Sequence, residues 1–112
     1  MAREIIFYGP HFEDFLAQQP PKVRAKVVYV LKLIQELDRV PQTYLKHLSG
    51  TDGLYEIRVQ FAGNIYRIFC FFDEGNLVIL LNAFQKKTQK TPRKEIKLAE
   101  RLKQAYYESK QT

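Results

Sequence analysis

Arg58, Arg67, Lys86 and Lys87 are the residues whose type and spacing suggest chemistry. Arg58 lies in LYEIRV, Arg67 in YRIFCFF, and the two lysines follow LVILLNAFQ. A guanidinium stays charged and can fork onto two oxygens of a phosphate. A lysine set among other cations gives up its proton more readily, so Lys86 or Lys87 could act as acid or base near neutrality. Glu56, two residues before Arg58, is a competing base. That set suits stabilising a phosphodiester as charge builds on it.

Three consecutive strands would bring these residues together. An Ala62-Gly63 turn pairs Phe61 with Asn64, Val59 with Tyr66, Arg58 with Arg67 and Ile57 with Ile68. A two-residue Glu74-Gly75 turn pairs Asp73 with Asn76, Cys70 with Ile79, Ile68 with Leu81 and Arg67 with Asn82. One face then collects Tyr55, Ile57, Val59, Tyr66, Ile68, Cys70, Phe72, Leu77, Ile79 and Leu81, the predicted core side. The other face carries Leu54, Phe69, Phe71, Val78 and Leu80 at one end, and Arg58, Arg67, Asn82 and Lys86 at the other. Two arginines directly opposite cost on the order of 0.2–1 kcal/mol against a neutral pair. Either the pair serves a function, or Glu56 with Asp73 or Glu74 neutralises it as a surface network.

The remaining elements form the support. Ile5 to Tyr8 reads as a first strand closed by Gly9 and Pro10. His11 to Gln18 reads as a short helix. From Pro21, Val23, Val27, Val30, Leu31, Ile34 and Leu37 recur at helical spacing, and Pro41 stops anything beyond Val40. Residues 42–53 read as a loop anchored by Tyr44, Leu45 and Leu48; His47 here, like His11, lacks a Cys, Asp or Ser partner. After Phe84, Gln85 to Thr91 forms a cationic loop. Thr91 is the expected N-cap and Pro92 the first residue of a helix tied down by Ile96, Ala99, Leu102 and Tyr106. Free amides at that start, with Lys90, Arg93 and Lys94, suit an anion, and the missing glycines point to phosphodiester backbone rather than ATP. Tyr106 and Tyr107 read as packing residues rather than base-stackers.

Length and charge bound the rest. At 112 residues the chain is expected to form one domain, 1–112, of α+β class. All of the net +6 falls in residues 84–112, with nine Lys or Arg against three Glu, while earlier residues cancel. A polyanion partner is expected, nucleic acid before membrane, since no apolar anchor accompanies the charge. No apolar run approaches the roughly 20 residues of a membrane helix, and Arg3 and Glu4 interrupt where a signal peptide would be hydrophobic, so a cytoplasmic location is expected. Cys70 is the lone cysteine, which excludes an internal disulfide and a cysteine-built zinc site; no clustered carboxylates and histidines suggest a metal, and no cofactor is expected.

A short strand, two helices, LYEIRV, YRIFCFF, LVILLNAF and KKTQKTP before a last helix resembles the RelE/ParE toxin superfamily, and within it the phage-derived HigB-like branch. The resemblance covers nearly the whole chain. It implies a RelE-like fold: a small, mainly antiparallel four-stranded sheet with two N-terminal helices packed on it and a C-terminal helix. It also implies the toxin of a type II toxin–antitoxin system, a metal-independent endoribonuclease that cuts mRNA, usually on the ribosome, and is silenced by a helix-turn-helix, HigA-like antitoxin. Arg58 then takes the place of a basic catalytic residue, Arg67 that of the arginine on the scissile phosphate, and Lys86 and Lys87 the basic pair after the last strand. Glu56 stands where several RelE proteins carry a lysine, which leaves the general base open. A ParE-like gyrase-inhibiting toxin and a noncatalytic nucleic-acid-binding protein are the alternatives.

Overall fold

A computed structural model describes residues 2–87 and 90–111. Five strands, β1 (Glu4–Phe7), β2 (Leu45–His47), β3 (Tyr55–Phe61), β4 (Asn64–Phe72) and β5 (Leu77–Lys86), form one sheet in the order β1-β5-β4-β3-β2. β1 runs parallel to β5 and every other pairing is antiparallel. The expected fourfold sheet gains a strand because Leu45 to His47, expected as loop, pairs with Ile57 to Tyr55. Three residues are too few for alternation to stand out from anchored loop.

Helices α1 (His11–Ala17) and α2 (Pro21–Glu36) cover one face. Phe12, Val23, Val27, Val30, Leu31 and Ile34 pack there on Ile57, Val59, Tyr66, Ile68, Cys70, Val78 and Leu80. α2 stops at Glu36, short of Val40, with Leu37 extended at φ −79° and ψ 133°. Its last turn holds no basic residue, but Arg3 reaches across from the start of β1. The Arg3 guanidinium donates to the carbonyls of Ile34, Leu37 and Asp38 at 2.9, 2.6 and 3.1 Å, satisfying groups a helix end leaves open.

The third helix, α3 (Arg93–Lys110), lies on the opposite face over Leu54, Phe69, Phe71, Ile79 and Leu81. Pro92 is its N-cap and no side chain caps it, so Thr91 does not have the expected role. Asp73 fastens the far end: Tyr106 Oη donates to it at 2.6 Å, Tyr107 Oη at 3.4 Å and Lys110 Nζ at 2.7 Å. Those bonds hold the Asp73 carboxyl down at about 2, below the usual carboxylate range. Tyr106 also meets Tyr8 and Phe71 edge-on, so both tyrosines are packing residues.

The β3–β4 pairing is the one read from the sequence, with Arg58 opposite Arg67. Its turn needs positive φ twice, met by Ala62 at 51° and Gly63 at 81°. The β4–β5 pairing differs. The Asp73 amide donates to the Leu77 carbonyl at 2.9 Å, so Glu74, Gly75 and Asn76 make a three-residue loop, and Phe71 rather than Cys70 faces Ile79. A one-residue slip exchanges the faces of a strand. Val78 and Leu80 therefore join α1 and α2, while Leu77, Ile79 and Leu81 turn toward α3. Phe72, expected in the core, is 38% exposed and stacks on Tyr55 at 4.9 Å.

A β-bulge then restores the alternation near the site. Cys70 faces Leu80 and Ile68 faces Ala83, so Leu81 and Asn82 together oppose Phe69. Beyond it Arg67 lies opposite Phe84, not Asn82, and Lys86 opposite Ile65. Without the extra residue, Phe84 and Lys86 would point toward α1 and α2. With it they share the face of Arg67.

Candidate phosphate site

α3 packs on its face of the sheet over Leu54, Phe69, Phe71, Ile79 and Leu81. Three cross-strand rows continue past it toward the Ala62-Gly63 turn: Lys46, Glu56 and Phe69; Arg58, Arg67 and Phe84; Gln60, Ile65 and Lys86. Period-two alternation puts all nine on one side. The result is an acidic residue paired with two arginines on a face that also carries Lys46 and Lys86.

Glu56 is the centre of this cluster. Its Oε1 lies 3.6 Å from Arg58 Nε and its Oε2 3.5 Å from Arg67 Nε, with the carboxylate side chain 9% exposed. Neither distance is that of a tight charge-assisted hydrogen bond, which runs about 2.7–2.9 Å. Among the described residues Glu56 Oε2 and Arg67 Nε are buried with no hydrogen-bond partner, so these two atoms are paired by charge without a hydrogen bond. Of the expected neutralising network of Glu56 with Asp73 or Glu74, Glu56 alone is seen to pair with the arginines among the described residues; Asp73 is held by α3 and Glu74 lies in the 74–76 loop.

The two arginines differ in access. Arg58 has a third of its side chain exposed; Arg67 is 4% exposed. Burial pushes the Arg67 pKa down, Glu56 opposes that and Arg58 adds to it. A guanidinium remains charged under such a shift. The Lys86 pKa is also lowered, chiefly by burial, then by Arg67, with Glu56 opposing and Arg58 and Lys46 contributing. Lys86 is therefore electrostatically part of the cluster.

The other expected site residues take up different positions. Lys87 and Lys90 are exposed after β5, and Arg93 and Lys94 are exposed on the first turn of α3. Thr88 and Gln89 of the same loop lie outside the described residues. Asn82 is 2% exposed and does not face solvent. Its Nδ2 donates to the Glu95 carbonyl at 3.1 Å and to Glu95 Oε1 at 3.0 Å, so it joins the bulge to the start of α3. His47 is exposed and meets Tyr55 edge-on, on the side of the sheet away from Glu56; His11 opens α1. Burial raises the Cys70 thiol pKa, which suits an inert core residue.

Lys46 was not legible as a site residue. It stands directly opposite Glu56, and only the β2 pairing gives it that place. Lys97 and Arg101, exposed beyond Arg93 and Lys94, extend the basic surface of α3 along one groove. Among the described residues, no three His, Cys, Asp or Glu side chains come together as metal ligands, and no helix is long and apolar enough to cross a membrane.

Comparison with known proteins fits this arrangement. No curated protein matches the chain significantly. The family model described as Phage derived protein Gp49-like (DUF891) matches residues 14–104, from α1 through the sheet into α3, and that family is in general one of RelE/HigB-like toxins. The match takes in β2 to β5 and so the whole Glu56 cluster, and by it this chain belongs to the phage-derived Gp49-like family.

Proposed function

We propose that this protein is the toxin of a type II toxin–antitoxin pair and that it cleaves mRNA on the ribosome without a metal. The observation that carries the reading is Arg58, a third exposed, directly opposite the buried Arg67 across β3 and β4, with Lys86 on the same face. In the reaction the 2′-oxygen of a ribose bonds to the adjacent phosphorus, and the bond from phosphorus to the 5′-oxygen breaks. Lys86, as neutral amine, accepts the 2′-hydroxyl proton, and Lys87 donates a proton to the departing oxygen. Arg58 and Arg67 stabilise the pentacoordinate phosphorane, whose charge exceeds that of the ground state. The products are a 2′,3′-cyclic phosphate and a 5′-hydroxyl.

Lys90, Arg93 and Lys94 would follow the RNA backbone away from the scissile group. The expected partner is a helix-turn-helix antitoxin of the HigA-like kind, in the cytoplasm. The test is the purified protein with translating ribosomes: discrete cuts bearing cyclic phosphate ends are expected, and none where the attacking ribose is 2′-deoxy. The rate should rise with pH through a midpoint below that of an ordinary lysine. Lys86→Arg should remove that limb with a loss on the order of 10²–10⁴-fold. Growth arrest with intact messages and broken DNA would replace this reading with gyrase poisoning. Salt-dependent RNA binding without cleavage would leave a binding module.

A further inference from the structure

Glu56 is placed where an incoming anion must act. Four cations from four strands share its face: Arg58 on β3 and Arg67 on β4 within 4 Å, with Lys46 opposite it in register on β2 and Lys86 further along on β5. One carboxylate leaves that group at net +3. Its contacts to both arginines run through the Nε atoms at 3.5 and 3.6 Å, without a hydrogen bond to Arg67. A contact that leaves one buried polar atom unsatisfied on each partner, Glu56 Oε2 and Arg67 Nε, is held by charge rather than by hydrogen-bond geometry. Such a carboxylate is displaced at smaller cost than one locked in a bidentate pair.

We infer that Glu56 is a resident anion occupying the phosphate seat between Arg58 and Arg67, and that it sets how strongly the site holds a phosphate before reaction. This rests on the proposed reading for its substrate, but its anion chemistry is independent of cleavage. A singly charged diester must compete with the carboxylate for the two guanidiniums, so ground-state binding is weakened. A phosphorane carrying a second negative charge competes better. Glu56 thereby shifts the arginines' interaction from ground state toward transition state, the direction that raises turnover rather than affinity. It acts on the phosphate through the arginines and is a positioning residue.

Glu56→Gln keeps the shape and removes the charge. Inorganic phosphate and an uncleavable 2′-deoxy oligonucleotide, titrated calorimetrically into the full chain, are expected to bind this variant at least about tenfold more tightly than the parent, since one unit charge at close range is removed. Glu56→Asp should stay near the parent. Unchanged or weaker phosphate binding by a folded Glu56→Gln protein overturns the inference. The unsubstituted protein gives a second readout that does not depend on the variant folding. Phosphate should shift the Glu56 carboxylate carbon and both the Arg58 and Arg67 Nε resonances together, and a Glu56 signal that stays fixed while the arginines move also overturns it. Because inorganic phosphate has no scissile bond, absence of RNA cleavage would sink the proposed function and leave this result standing.

Discussion

Replacing Arg67 by alanine should disable the site and also destabilise the fold, and the two effects can be separated. The side chain is 4% exposed, and its removal leaves Glu56, 9% exposed, with Arg58 at 3.6 Å as its remaining close counter-ion among the described residues. Removing one partner of a buried ion pair costs about 3–5 kcal/mol in general. The loose 3.5 Å contact and the remaining Arg58 put this case at the low end. Relief of the Arg58–Arg67 repulsion returns at most about 1 kcal/mol. The net expectation is a loss of about 2–3 kcal/mol, or roughly 10–20 °C in Tm for a domain of this size. Urea unfolding and circular dichroism measure that loss, and RNA cleavage is then assayed at a temperature where the variant is folded. Adding Glu56→Gln removes the stranded carboxylate. The double variant should regain about half of the lost stability while remaining inactive. Wild-type Tm for Arg67→Ala, or no recovery in the double variant, would refute the account of Glu56 and Arg67 as mutually dependent buried charges.

Two further predictions concern the supports of the site. Asp73→Asn loosens α3 from the sheet and should cost about 1–2 kcal/mol at neutral pH through weakened bonds to Tyr106 and Lys110. The folded-state pKa of Asp73 is depressed to about 2 from 3.8, so its contribution is present above about pH 4 and lost as pH falls toward 2. Parent and variant stabilities from urea titrations should therefore converge near pH 2, and a constant gap down to that pH would count against the linkage. Arg3→Ala uncovers the three carbonyls at the end of α2 and should lower stability by about 1–2 kcal/mol. Faster amide exchange in the last turn of α2 should accompany it, and a variant with unaltered exchange there would show that solvent caps the helix equally well.

Much of this protein was determined by local sequence. Apolar spacing in α2 and the Ala62-Gly63 turn are short-range properties, so the helix and the β3–β4 register, with Arg58 against Arg67, follow from neighbouring residues alone. Tertiary structure decided what depends on counting across a loop. Glu74-Gly75 allows a two- or a three-residue connection, and the choice rests on which face of β5 best fills the cores on either side. The Leu81-Asn82 bulge has no marker of its own, since neither residue is glycine or proline, yet it returns Phe84 and Lys86 to the arginine face. β2 is likewise too short to announce itself, and pairing with β3 is what brings Lys46 against Glu56. The cationic residue types are written in the chain. Their convergence on one buried carboxylate depends on strand register, and register is settled by burial on both faces of the sheet at once.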